Sequence, residues 1–391
     1  MTAKTFSIRI SLTYALLMMG SGVQLPFLPL WLAAKGVDVA GIAAIVAGMM
    51  ATRILGAPLF AWIADHFGNR RLVIQLCAGF SFVSYLLLAA SDGYGPIMGM
   101  ALIASFMFAP VFPLTESLGV DGSSAHGLDY GRMRLWASLS FLSGSLISGA
   151  LLTQLDALTT VWLIAGAQGL SLFATLILPD EPVAEPVHGK GGQLTGARQL
   201  FFGSSFPLLM LATGLAQASH GMLYSFSSVH WSSMGFSSMA IGVFWTAGVL
   251  AEVALLAFSN ALLAAFGPGR LLLIGLTGGL LRWIIMAYAS SFIVIMLAQS
   301  LHALSFATAH LGTMHFIRLM VPGEFRNRAQ GIYSALSGGV LLSSAAWLSG
   351  DLYRDYGAHA YLFMAGISLT GLILTLALIR FSPRVRVAAA A

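Results

Sequence analysis

The chain has 391 residues, of which 58% are hydrophobic and 8% charged, with a mean hydropathy of +0.86. Soluble domains carry roughly 25% charged residues, so the solvent for most of this chain is lipid, and a soluble globular domain is excluded. The net charge of +5 is spread over short loops rather than one continuous face, which leaves nucleic acid no footprint, and the single cysteine, Cys77, allows neither an internal disulfide nor a cysteine metal site.

At about 20 residues per crossing, this length accommodates about twelve membrane helices. The first run, residues 7–33, has no small-residue cleavage site and continues past Pro26 and Pro29 to Trp31, so it reads as a retained helix rather than a signal peptide. Residues 39–64 follow, with Arg53 near the middle, then 72–90 and 95–115, the latter bent at Pro110 and Pro113 and ending on Glu116. The stretch from there to Tyr130 is polar and Gly-rich and reads as a loop. Runs 135–153 and 158–178 complete a first set of six. Residues 179–205, rich in Pro, Gly and charge, form the expected cytoplasmic linker. The second set comprises 206–229, 239–265, 271–289, 292–317, 329–352 and 361–381. The expected fold class is therefore an all-α integral membrane protein, with a six-helix bundle over 1–178 and another over 206–391. A weak repeat supports two related halves: Phe67, Gly68, Arg70 and Leu72 after the second run echo Phe266, Gly267, Arg270 and Leu271 after the eighth.

Basic residues in short loops mark the cytoplasmic side. With a cytoplasmic N-terminus, fifteen of the 19 Lys and Arg residues fall inside, against Lys35 and Arg354 outside and Arg53 and Arg282 within spans. Both termini are expected in the cytoplasm and the protein in the cell inner membrane.

Ionisable residues inside apolar runs are the functional candidates, because each costs roughly 2.5–3.5 kcal/mol to place at mid-membrane. Glu252, Arg282 and His302 lie in three successive runs, as either a proton relay or a structural ion pair with a polar neighbour. Arg53 is either a substrate contact or a snorkelling or paired cation. His220 and Tyr224, at i and i+4, share one helix face and either line a cavity or hydrogen-bond across helices. On a regular helix, eight residues at about 100° each put His310 roughly 80° round from His302. His302, His310 and His315 therefore make no single stripe and no metal site. Gly144 and Gly149 suit close helix packing, and the Gly-Pro pair of drug antiporters is absent.

Two stretches carry a family resemblance. Asp65, Gly68, Arg70 and Arg71, between the second and third spans, resemble the signature loop of the major facilitator superfamily, with Ala61 where that motif has Gly. The stretch from Asp129 to Phe141, DYGRMRLWASLSF, resembles the entry to the fifth helix in the lactose permease family and in the phenylpropionate permease and nucleoside-proton symporter group. The resemblance implies a fold of two six-helix bundles about a midplane site. It implies substrate-binding roles for Arg134, for its carboxylate partner Glu116, and for Phe141 as a stacking ring where lactose permeases have Trp. His220 and Tyr224 complete the substrate-binding candidates. By the same resemblance Glu252, Arg282 and His302 match the coupling residues of helices eight to ten, and Asp65, Gly68, Arg70 and Arg71 form the conformational loop. Ser305 stands where a second carboxylate is expected, so the proton is left to Glu252 or Glu116, or the protein is a uniporter.

The expected function is a monomeric proton symporter importing a small sugar, nucleoside or aromatic acid by alternating access. Antiport efflux and a non-transporting solute sensor are the alternatives. No cofactor beyond the coupling proton is implied. No nucleophile with a base and orienter, and no phosphate loop, points to an enzyme.

Overall fold

The computed structural model describes residues 1–179, 205–322 and 325–381. The expected linker from 180 onward lies outside them, up to residue 204. Every regular element among the described residues is helical, as the bilayer requires of segments that must satisfy their backbone hydrogen bonds internally.

The first part of the chain gives α1 (Ala3–Ala34), α2 (Val39–Phe67), α3 (Arg70–Ala89), α4 (Tyr94–Phe108), α5 (Val111–His126), α6 (Tyr130–Gln154) and α7 (Thr160–Leu176). The second part gives α8 (Phe206–Ala218), α9 (Gly221–Ser233), α10 (Ser238–Leu256), α11 (Ser259–Tyr288) and α12 (Phe292–Ser300). A π-helical turn over Ala303–Thr308 leads into α13 (Ala309–Met320). After α14 (Arg326–Ser334), a second π-helical turn, Ala335–Leu341, leads into α15 (Leu342–Tyr356), and α16 (Tyr361–Phe381) closes the described chain. Side-chain caps start several of these helices: Asp38, Asn69, Asp129 and Ser291 accept from Gly41, Leu72, Arg132 and Val294 backbone N–H groups.

Among the described residues, ten helical stretches are long and apolar enough to cross a membrane. Exposed Leu55, Trp62, Phe80, Trp162, Phe173 and Ile293 stud their outer faces. So many large apolar side chains facing outward are tolerable only against lipid. The molecule is a multi-pass membrane protein.

Three expectations about boundaries are corrected. The stretch after Glu116 is not a loop: α5 continues to His126, because Gly119 and Gly122 let Tyr14 and Phe6 of α1 pack directly on its backbone. Run 206–229 is broken at Ser219–His220 into α8 and α9, so neither piece alone has the length of a crossing. Run 239–265 is interrupted at Ala257–Phe258. The sequence echo between the two halves has a backbone basis, since Gly68 and Gly267 both turn the chain through positive φ, 64° and 66°.

The chain forms two compact units, Met1–Pro186 with Ser227–Thr246, and Val187–Phe226 with Ala247–Ala391. In the first, α1 packs on α6 and α7, and α3 on α4 and α7. Gly22 and Gly144 make the α1–α6 approach possible, because a Cβ at either would meet the partner's backbone carbonyl. The segment from Ser227 packs on α6 in the same way: Ser145 Oγ donates to Gly242 O at 3.2 Å and Met239 N to Thr153 Oγ1 at 3.0 Å. At Gly149 a Cβ would lie 2.7 Å from Ser238 O. In the second unit, α11 packs on α13 and α16, and α8 on α16 and the second π-helical turn. A core including Phe206, Leu272, Phe316, Ile317 and Leu378 gathers at the end where α8 begins and α16 finishes.

Candidate functional site

Among the described residues, polar clusters at sequence-predicted site positions lie in both units. In the first unit the extension of α5 sets Glu116 one turn into a continuous helix rather than at its end, facing the first turns of α6. Arg134 Nε donates to Glu116 Oε1 at 2.7 Å, and Tyr130 Oη donates to the same oxygen at 2.8 Å. Both charged side chains are about one-third exposed, 37% for Arg134 and 35% for Glu116, so the pair is partly hydrated. The guanidinium lies over the Phe112 ring at 5.1 Å, a cation–π contact, and Tyr14 meets the edge of Tyr130 at 6.4 Å. Arg134 therefore commits Nε to Glu116, while its two terminal nitrogens make no hydrogen bond among the described residues. Phe141 is seven residues along α6, about 20° round from Arg134, so it shares that face. It is buried, with its carbonyl against Gly22.

Arg53 is exposed near the middle of α2 and lies within electrostatic reach of Tyr85, whose hydroxyl donates to Gln24 Oε1 at 2.7 Å. At the α2–α3 turn, Arg70 reaches past Asp65, 3.8 Å away, to bond Asp121 at 2.8 Å and Ser117 Oγ at 3.1 Å on α5. Arg71 donates to Leu176 O at 2.9 Å, satisfying a carbonyl at the end of α7. Gly68, in the left-handed region, allows the turn that sets both arginines.

In the second unit Arg282, 1% exposed, is the centre. Its Nη1 lies 2.9 Å from His302 Nδ1 and 3.0 Å from Ser305 Oγ, and its Nη2 donates to Gln299 Oε1 at 2.5 Å. The guanidinium also stacks over Trp283 at 4.5 Å. An arginine only donates, so His302 Nδ1 is the acceptor and the proton of the neutral ring sits on Nε2. That nitrogen faces Glu252 Oε2 at 3.4 Å. The acid and the arginine, which the ion-pair alternative would join directly, thus have the imidazole standing between them. Ser305 Oγ, having accepted from Arg282, is free to donate toward His220 Nε2, 3.4 Å away, while His220 Nδ1 donates to Ala216 O at 3.0 Å. Two polar arms leave Arg282, one through His302 to Glu252 and one through Ser305 to His220.

The sequence groups His220 with the substrate contacts. It is fully buried at the α8–α9 break, its ring 5.4 Å from His302 and 5.0 Å from Trp283, and it stacks on Tyr224 at 6.0 Å. The structure therefore joins His220 and Tyr224 to the Glu252, Arg282 and His302 cluster. Nothing in the sequence marks Gln299 and Ser305 as partners of Arg282, because a neutral side chain in an apolar run gives no signal until its neighbour is known.

The expectation that His302 and His310 lie on different faces is overturned. The π-helical turn between them advances less than 100° per residue, and His302, Phe306 and His310 stack in order, with centroids 5.1 and 6.1 Å apart and planes 24° and 10° from parallel.

Known proteins share this architecture. The model of the MFS_1 like family matches residues 7–365. The chain is 28% identical over 361 residues to a probable 3-phenylpropionic acid transporter of Escherichia coli K12, covering 90% of this chain and 93% of that one. Among solved structures it resembles the nucleoside transporter NupG, with a TM-score of 0.83, 16% identity and coverage of 96% and 100%. It also resembles a D-xylose-proton symporter, with a TM-score of 0.72, 16% identity and coverage of 97% and 98%.

Proposed function

We propose a function from one premise: the chain belongs to the MFS_1 like family of major facilitator transporters. It is a transporter and not an enzyme. On our reading it is a proton symporter of the cell inner membrane that imports a small aromatic carboxylate by alternating access. Its twelve crossings count α8 and α9 as one broken span and divide the last apolar stretch at Gly357, which returns both termini to the cytoplasm.

The observation that carries the coupling is the buried ionic arm from Arg282 through His302 to Glu252. Charge at that depth is costly, and a pair with no further use is often no better than apolar packing. The substrate class is supported by Arg134, whose terminal fork has no hydrogen-bond partner among the described residues and suits a planar carboxylate, above a phenyl ring. Three neutral amides that a hydroxyl-rich ligand could use are engaged inside the protein: Gln24 with Tyr85, Gln75 with Thr175 O and Gln299 with Arg282. The name of the Escherichia coli relative, a probable 3-phenylpropionic acid transporter, points the same way.

The test is uptake by proteoliposomes offered an aryl carboxylate, a nucleoside or a disaccharide under an imposed proton gradient, acid outside. Accumulation of the aryl carboxylate above equilibrium supports the reading. Equilibration without accumulation means uniport, export means antiport, and preference for either other ligand overturns the substrate class.

A further inference from the structure

The proposed coupling leaves a gap. Glu252 and His302 are largely buried, with side chains 20% and 10% exposed, and a proton that binds there must reach water on each side of the membrane in turn. A regular helix would carry His310 away from them. The π-helical turn Ala303–Thr308 instead aligns it, so one face of this span runs from buried His302, past partly buried Phe306, to exposed His310. The wider turn does two things at once: it directs Ser305 to Arg282 and His220 and sets His310 below Phe306. Such turns are rare and recur at functional sites.

We propose that His310 is the proton outlet of the buried cluster toward the end of the membrane where α13 finishes. This rests on the proton-coupled reading above. The step is a simple relay. Protonated Glu252 gives its proton to a water that reaches past the edge of Phe306, and that water passes one of its own protons to a neutral His310 nitrogen. His310 then releases its proton to bulk water and returns to the neutral form; no electrons move. Phe306 sits between the two imidazoles and breaks direct contact, so it limits leakage when no water is admitted.

Tyr333 of α14 meets the His310 ring at 6.4 Å, while the buried face of α13, through Ala309, Phe316 and Ile317, packs into an apolar cluster with Leu209, Met210, Leu272 and Leu276. Arg328 lies five residues before Tyr333, about 140° round α14. On its own span Phe306 stands one turn before His310, with His302 beyond it, and His315 and Arg318 follow further along α13.

The experiment compares the parent and His310→Gln in proteoliposomes for three readouts: substrate counterflow, gradient-driven substrate flux with its pH profile, and recovery of that flux on adding imidazole as a small diffusible proton carrier. We expect counterflow within about twofold of the parent, net proton-coupled flux reduced about tenfold, and substantial recovery with imidazole. A merely structural role would slow counterflow too and would not respond to imidazole. Unchanged net flux and pH profile, or a slowed flux that imidazole does not restore, overturns the proposal. If the parent itself moves no protons with substrate, the coupling reading fails first and this one falls with it.

Discussion

Removing the cation at Arg282 tests whether the second-unit cluster is one electrostatic unit. Arg282→Met keeps much of the volume but leaves His302 Nδ1, Ser305 Oγ and Gln299 Oε1 without their donor and the Glu252 carboxylate without its nearby positive charge. Breaking a buried ion pair from one side costs about 3–5 kcal/mol, and here the two charges are joined only through His302. Glu252 keeps a fifth of its side chain exposed, which places the loss near the lower bound, about 3 kcal/mol. Adding Glu252→Gln removes the stranded charge while Gln still accepts from His302, so the double variant should be more stable than Arg282→Met alone by about 1–2 kcal/mol, a coupling within the range seen for residues of one network. Unfolding of the four proteins in one detergent, by heat or denaturant, measures this. A double variant whose loss equals the sum of the two single losses would show that the acid and the arginine do not feel each other through His302.

Three further outcomes follow from the geometry. Arg134→Lys should weaken binding of an aryl carboxylate about tenfold or more, read by equilibrium titration, because charged hydrogen bonds are worth about 1.5–3 kcal/mol and lysine has no planar fork; parent-like affinity would make Arg134 a topology charge. Gly68→Ala meets open space but must hold φ near 64°, so it should lose about 1–2 kcal/mol of stability without a clash; an unchanged unfolding midpoint would contradict a strained turn. In a Cys77→Ser background, an impermeant maleimide applied to intact cells should label Asp92→Cys and spare Phe67→Cys, both exposed and flanking opposite ends of α3; the reverse pattern would invert the orientation.

The fold is legible in the sequence because lipid imposes a simple code: apolar runs of fixed length, basic residues between them, and few charges within. What the runs conceal are the interruptions. The break at Ser219–His220 and the π-helical turn at Ala303–Thr308 bring polar atoms to Arg282, a demand set by a residue on another span that local composition does not encode. The stretch after Glu116 reads as a loop because Gly and Ser are common in loops, yet Gly119 and Gly122 serve there as seats for Tyr14 and Phe6. The pairing of Glu116 with Arg134 is readable only through the family resemblance of the stretch from Asp129 to Phe141, which names the two as partners. The insertion of His302 between Glu252 and Arg282 is not, since their order along the chain says nothing of which side chain stands in the middle. The same limit hides His310, for an angle reckoned at about 100° per residue holds only while the helix stays regular.

The central claim is that Glu252 carries the coupling proton, and Glu252→Gln in proteoliposomes tests it most directly. The amide keeps shape and an oxygen for His302 while losing the titratable site. Counterflow of substrate should persist at near the parent rate, and accumulation driven by an imposed proton gradient should vanish. Full gradient-driven accumulation by this variant would contradict the account and send the proton elsewhere.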